Sequence, residues 1–291
     1  MNGIEKSNRR VEMSAVLSDA VYEYEKAYTS GQKDPTLKAD DVLKEAGINT
    51  KSYEIVDSMY DKDSGVAAIA VKDKLTEETY ISYAGTNYKA DGHKDIIVDA
   101  AIGINDSLYL KKKNKPALDF YDRVEAKGNY ITTTTGHSYG EFQAGRVALE
   151  RQVPYNYGYQ GAPQSVNGKT AQQMIKDGDS KLFNEILVNK DFDHFKTMVE
   201  VKTNQTGLSM PSDKVLKQYW TYFSSLKNIS PETLKSSEKE AKRIEELRKN
   251  YKGQSITFSS TRDVLTNLVW NQNKLEIQFE GQALDGAFLQ W

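Results

Sequence analysis

Residues 130–164 read YITTTTGHSYGEFQAGRVALERQVPYNYGYQGAPQ. The run Tyr130–Thr135 is β-branched throughout after its tyrosine, as a buried strand requires. It stops at the glycine-flanked GHSYGE, and the helix-compatible EFQAGRVALERQ follows. Tyr155–Tyr159 is strand-like again and is closed by the turn GAPQ. Strand, sharp turn, helix and strand in that order make a βαβ unit, which points to a parallel sheet.

Gly136-His137-Ser138-Tyr139-Gly140 fits G-x-S-x-G. Placed between a strand and a helix, this pattern is that of a nucleophile elbow. The serine sits in a strained turn, and the flanking glycines let strand and helix approach without Cβ clashes. Ser138 Oγ then projects at the carboxyl end of the sheet, above a helix N-terminus whose free amides favour negative charge. The same residues also allow a plain glycine-rich turn in which Ser138 caps the helix.

On the N-terminal side, Tyr53–Tyr60, Val66–Val71 and Thr79–Ala84 are rich in β-branched and aromatic residues and bounded by polar clusters, which predicts a strand meander. Val66–Val71 is apolar without alternation, as in a strand covered on both faces. Met13, Val16, Leu17, Ala20, Tyr24 and Ala27 recur at helical spacing and predict a helix over 10–28. DDVLKEAG (40–47) reads as a short helix, and residues 94–102 and 115–127 as helical segments. Past residue 168 the chain turns polar and helical in period. In KVLKQYWTYFSSL the residues Val215, Leu216, Tyr219, Trp220, Phe223 and Leu226 form one stripe, and 236–253 is a highly charged helix ended by glycine. Strand-like runs return at Gln254–Ser259 and Lys274–Phe279. The whole is therefore read as a single domain over 1–291, with 168–252 a helical insertion over one end of the sheet.

Composition excludes several chemistries. The 291 residues contain 39 Lys+Arg and 41 Asp+Glu, so the chain is not a globally basic nucleic-acid binder. Without cysteine there is no disulfide, thiolate nucleophile or zinc ribbon. The histidines His93, His137 and His194 show no H-x-x-x-H or H-x-H spacing for a metal. Met1–Arg10 is polar and shows no signal-peptide h-region, and no apolar run is long enough to span a bilayer.

Taken with YISYAGTN (Tyr80–Asn87) and DIIVDAAI (Asp95–Ile102), the pentapeptide resembles the class 3 lipase-like families of the α/β-hydrolase superfamily. In that family a strand ending in aromatic-x-Gly-Thr or Gly-Ser precedes the elbow, and Tyr83-Ala84-Gly85-Thr86 corresponds to it here. The resemblance covers roughly 50–166 and resumes at 254–291, leaving the first forty residues and the helical insertion without a counterpart. It implies a mostly parallel sheet flanked by helices and a serine esterase acting on lipids or phospholipids without a bound cofactor.

The resemblance assigns roles residue by residue. Ser138 becomes the nucleophile, and the Tyr139 amide and Thr86 become the oxyanion donors. Asp263, beyond the strand-like run at 254–259, becomes the acid that orients the base. The base position, in the loop after Lys274–Phe279, is occupied by Gln282. An amide cannot take a proton from serine at neutral pH, and loss of a triad histidine costs on the order of 10⁶-fold in rate. Three readings follow: a folded but silent hydrolase site, a base supplied by His194 of KDFDHFK beside Asp191 and Asp193, or a non-catalytic lipid- or protein-binding relative. A peptidase or thioesterase on the same scaffold is a weaker alternative. His137, inside the elbow, is expected to point away from the reacting centre, and His93 to lie in a surface loop. Tyr219, Trp220 and Phe223 are either the wall of an acyl-chain pocket or simply a docked helix face. The resemblance further implies contact with a membrane surface, and suits an exported bacterial effector with a protein partner, hence a secreted protein, with a cytoplasmic one as the alternative.

Overall fold

The computed structural model of the chain describes residues 2–29, 41–85, 101–102, 105–161, 170–177, 191–206, 210, 212–226 and 229–258. Among these, six strands form one sheet in sequence order: β1 (Tyr53–Tyr60), β2 (Ala67–Asp73), β3 (Thr79–Tyr83), β4 (Ile131–His137), β5 (Tyr155–Tyr159) and β6 (Gln254–Phe258). The first three are joined by short turns and pair antiparallel. From β3 onward every pairing is parallel, because a helix-containing crossover separates each strand from the next. The expected meander and the βαβ unit are both present, in a mostly parallel sheet flanked by helices.

Both faces are covered, and the pleat of β2 records it. Ala67, Ile69 and Val71 pack against helix α1 (Gly3–Thr29). Val66, Ala68 and Ala70 pack on the opposite side against α2 (Ser107–Ala126) and α3 (Tyr139–Arg151). A strand buried on two sides has no polar face to show, which explains the unbroken apolar run.

The threonines of β4 are buried, and their hydroxyls find hydrogen-bond partners. Thr134 Oγ1 donates to Asn156 Oδ1 (3.0 Å), and Asn156 Nδ2 to Ser255 Oγ (2.9 Å), a polar rung across β4, β5 and β6. Other sheet hydroxyls fasten α1. Ser82 donates to the Leu17 carbonyl (2.9 Å), Thr135 to that of Ser14 (3.1 Å), and Tyr159 to that of Val11 (3.2 Å). Arg9 and Arg10 then pair with Asp73 and Glu78 at the far end of the sheet.

Two helices start earlier than their periodicity predicts. The first begins at Gly3 rather than residue 10, since Asn2 and Glu5 cap each other reciprocally (Glu5 N to Asn2 Oδ1, 2.9 Å; Asn2 N to Glu5 Oε2, 3.0 Å). The segment expected over 115–127 begins at Ser107, capped by Asp106, and Pro116 lies inside it. That proline reads as a helix start, but its position on a long helix stabilised by tertiary packing overrides the signal. Of the expected 94–102 helix only 101–102 are described, and the 274–279 run lies outside the described residues.

Between β5 and β6 the chain forms α4 (Ala171–Asp177), α5 (Phe192–Thr206), α6 (Asp213–Ser225) and α7 (Pro231–Lys249). They dock through one apolar cluster that joins Leu216, Tyr222, Phe223 and Phe195 to Ile102, Leu110, Tyr139 and Phe142. A polar seam runs beside it. Arg243 of α7 grips Glu150 of α3 with both guanidinium arms (2.7 and 2.5 Å), and Lys111 of α2 bonds Glu240 (3.0 Å).

Candidate active site

At the end of β4 the backbone reverses sharply at Ser138, with φ 57° and ψ −126°, a conformation that L-residues other than glycine rarely hold. It is held from both sides. Ser138 N donates to the Tyr159 carbonyl of β5 (3.0 Å), and Glu141 N donates to the Ser138 carbonyl (3.1 Å). Ser138 stands at the N-cap of α3, yet its hydroxyl makes no capping bond. The capping-serine reading therefore fails, and Ser138 is half-buried.

Glycine at three places makes the turn possible. A Cβ on Gly136 would overlap the backbone of Gly140 and Glu141, and one on Gly140 would overlap the Tyr83 carbonyl and the Ala84–Gly85 backbone. A Cβ on Gly85 would strike the His137 carbonyl and the Tyr22 hydroxyl. The ends of β3 and β4 and the first turn of α3 thus meet backbone to backbone, as a nucleophile elbow demands.

Sheet order and this turn together decide the fold. The chain has an α/β-hydrolase-like fold. No family model matches the sequence, and no curated protein matches it. Similar solved structures include lipase II from Rhizopus niveus, at 13% identity and TM-score 0.37, covering 53% of this chain and 63% of that one. A lipase from Rhizopus microsporus var. chinensis aligns at 15% identity and TM-score 0.32 over 53% and 58% of the two chains. A Rhizomucor miehei lipase propeptide complex aligns at 17% and 0.32 over 53% and 52%. In each case the alignment spans less than two thirds of the lipase's length.

Of the residues named from sequence, Ser138 and Tyr139 are together at the elbow. Tyr139 opens α3, where the first-turn amides have no acceptor within the helix. Its side chain is buried, stacks on Phe142 (5.9 Å, 19°) and joins the cluster that receives α6. Within α6, Phe223 is buried and Tyr219 stacks on it (6.3 Å), while Trp220 leans on Phe195 (5.6 Å). The aromatic stripe thus belongs to the cluster that also holds Tyr139 and Phe142 of α3. Thr86, Asp263, Gln282 and His93 lie outside the described residues. His194 is exposed in the first turn of α5, where its amide bonds Asp191 Oδ1 (2.8 Å).

His137 does not need the reacting centre for a partner. Its Nδ1 faces the Tyr22 hydroxyl of α1 (3.1 Å) and its Nε2 faces Gln160 Oε1 (3.1 Å). Tyr22 Oη also donates to the His137 backbone carbonyl (3.2 Å), so residue 137 is held through both ring and main chain. The ring thereby ties α1 to the end of β5. Tyr22 escapes sequence reasoning because nothing local links residue 22 to residue 137.

Glu141 also escapes it, although one signal is visible. Glu141, Gln143 and Arg146 are polar residues in a stretch, 139–149, otherwise made of small and apolar or aromatic ones, and all three are buried. The Glu141 carboxyl accepts from Thr257 Oγ1 of β6 and from the Gly161 amide. Burial pushes it up to about 8, with those two hydrogen bonds opposing the rise. Burial likewise pushes the Arg146 guanidinium down to about 10, with Glu240 and Glu150 opposing the fall.

Proposed function

We propose that this chain is a serine esterase of the lipase type, cleaving acyl esters of lipids or phospholipids through an acyl-Ser138 intermediate. One observation carries the reading: Ser138 sits in a strained strand-to-helix turn with an uncapping hydroxyl, at the carboxyl end of a parallel sheet. Strain of that kind persists only where surrounding structure enforces it, and it clusters at functional sites. Attack by Ser138 Oγ on the ester carbonyl places negative charge on the carbonyl oxygen. In this reading the Tyr139 and Thr86 amides receive that oxygen, as preorganised donors worth about 3–4 kcal/mol each in comparable sites. Asp263 orients the base, and the stripe on α6 borders the acyl chain.

The proton on Ser138 must go to a base, and Gln282 cannot accept it. The reading therefore expects a low rate from the chain as it stands and a large gain from Gln282→His. Hydrolysis of p-nitrophenyl esters of several chain lengths tests it. Gain on the order of 10³-fold or more in Gln282→His, abolished by Ser138→Ala, supports an esterase. Absence of hydrolysis in every variant overturns it. Retention of lipid in that case favours the second reading, a non-catalytic lipid-binding relative, for which Gln282 is the supporting observation.

A further inference from the structure

Glu141 lies three residues past Ser138, on the first turn of α3, yet its side chain belongs to the far strands of the sheet. It occupies a slot made for it. A Cβ at Gly158 or at Gly161 would fall on the Glu141 carboxyl, so neither position admits any side chain while Glu141 is in place. Thr257, on β6, bonds one carboxyl oxygen, and the Gly161 amide bonds the carboxyl from the end of β5. Beneath it, Gly136 leaves room for the Glu141 amide. Thr257 is paired in register with Gly158, so both strands are gripped at one level. The helix that begins at the nucleophile is thus tied to two neighbouring strands by a single buried group.

We propose that Glu141 is a positioning residue: seated in the Gly158–Gly161 slot and bonded to Thr257, it latches the elbow helix to the ends of β5 and β6 and so sets where the chain leaves β6. The catalytic meaning of the latch rests on the esterase reading, in which the acid follows β6. The latch itself rests on Gly158, Gly161, Thr257 and Glu141 alone.

Burial favours the neutral form of this carboxyl and outweighs the bonds from the Thr257 hydroxyl and the Gly161 amide, which favour the charged one. The neighbouring phenol of Tyr159 on β5 is bonded to α1 and acts on Glu141 only through its charge; burial holds it neutral, pushed up to about 12. From β6 the carboxyl meets the Thr257 hydroxyl, and at the end of β4 the titratable His137 ring is turned to Tyr22 and Gln160. Ionisation of Glu141 therefore places a charge in a buried slot, and the latch weakens.

Unfolding by urea across pH 5 to 9 tests this with no need for activity, comparing wild type, Glu141→Gln and Glu141→Ala. The amide of Glu141→Gln keeps one donor and one acceptor in the same places. Between the ordinary glutamate value of 4.5 and about 8, each pH unit should cost the wild type close to tenfold in its folding constant, on the order of 10³-fold in all. Glu141→Gln should lack that slope and gain on wild type as pH rises, whereas Glu141→Ala should be weaker than Glu141→Gln throughout. Hydrogen exchange at pH 8 should then show slower opening of residues 158–161 and 254–258 in Glu141→Gln than in wild type, with β1 and β2 unchanged. Identical pH slopes in wild type and Glu141→Gln, or a uniform change over the whole sheet, overturn the proposal. Should Glu141→Gln fail to fold, the carboxyl-carbon titration of Glu141 in wild type decides: a midpoint near 8 supports the latch and one near 4.5 overturns it. Where ester hydrolysis is measurable, kcat should fall above pH 8 in wild type and not in Glu141→Gln. An inactive protein that still shows the stability slope sinks the esterase reading and leaves the latch standing.

Discussion

Replacing Asp106 with alanine should loosen the helices between β5 and β6 from the rest of the molecule. Asp106 is 3% exposed and receives three donors. Its Oδ1 accepts from Gln172 Nε2 of α4 (2.9 Å) and from the Tyr109 amide (3.2 Å), and its Oδ2 accepts from Tyr222 Oη of α6 (2.8 Å). Gln172 in turn accepts from Ser237 of α7 (2.7 Å), whose hydroxyl also meets Ser107 (3.2 Å). Burial pushes the Tyr222 phenol far up, and the Asp106 carboxylate pushes it further, so the phenol is always the donor. Truncation removes the cap of α2, worth about 1 kcal/mol. It also strands two buried donors at about 1–3 kcal/mol each. The expected loss is about 3–7 kcal/mol, a large share of the roughly 5–15 kcal/mol that holds a typical domain together. Tyr222→Phe should lose about 1.5–3 kcal/mol, the range for a hydrogen bond to a charged group. In the double variant the phenylalanine removes a hydroxyl that Asp106→Ala has already orphaned. The second change should then be nearly neutral, with a coupling of about 1.5–3 kcal/mol. Urea unfolding of the four proteins gives the cycle. Additive losses, or a Tyr222→Phe effect below about 0.5 kcal/mol, would refute the view that one carboxylate fastens these helices.

Two further outcomes follow from the same geometry. Ser138→Gly should stabilise the fold by about 1 kcal/mol or more, since glycine tolerates φ 57° and ψ −126° where serine is strained, while Ser138→Ala should give no such gain; equal Tm values for the two variants would argue against strain at the elbow. The acid limb of stability should depend on Asp73. Burial alone would raise its carboxyl, but the Arg9 guanidinium and the Leu75 amide outweigh that and hold it below the usual carboxylate range. A depressed carboxylate contributes stability above its unfolded value of 3.8 and loses it as pH falls through the folded value, so wild type should weaken below pH 4. Asp73→Asn should be less stable at neutral pH and flatter on acidification; an unchanged acid limb would count against the pairing.

Much of the molecule was open to local reading. Three strands of a meander, the strand–turn–helix–strand around Ser138 and the amphipathic stripes all leave periodic signals within a few residues. Where local reading failed, a local rule met a tertiary one. Asn2 and Glu5 extend α1 by a reciprocal cap that precedes any apolar period. Pro116, a helix-start signal, sits within α2 because Ala117, Phe120, Tyr121 and Val124 bury one face of the surrounding turns.

Local sequence alone settles where strands and helices can form, that a glycine-flanked serine joins a strand to a helix, and which chemistries the absence of cysteine removes. These follow from backbone sterics and hydrophobic period, which act over short stretches of chain. Long-range packing is what lays α1 across the sheet with Tyr22 on His137, gathers three helices on Asp106, and seats Glu141 in a slot between two glycines. Each of those depends on which buried polar group meets which partner across tens to more than a hundred residues of chain. That pairing is set by packing, since a buried donor or acceptor must be satisfied by whatever the fold brings beside it.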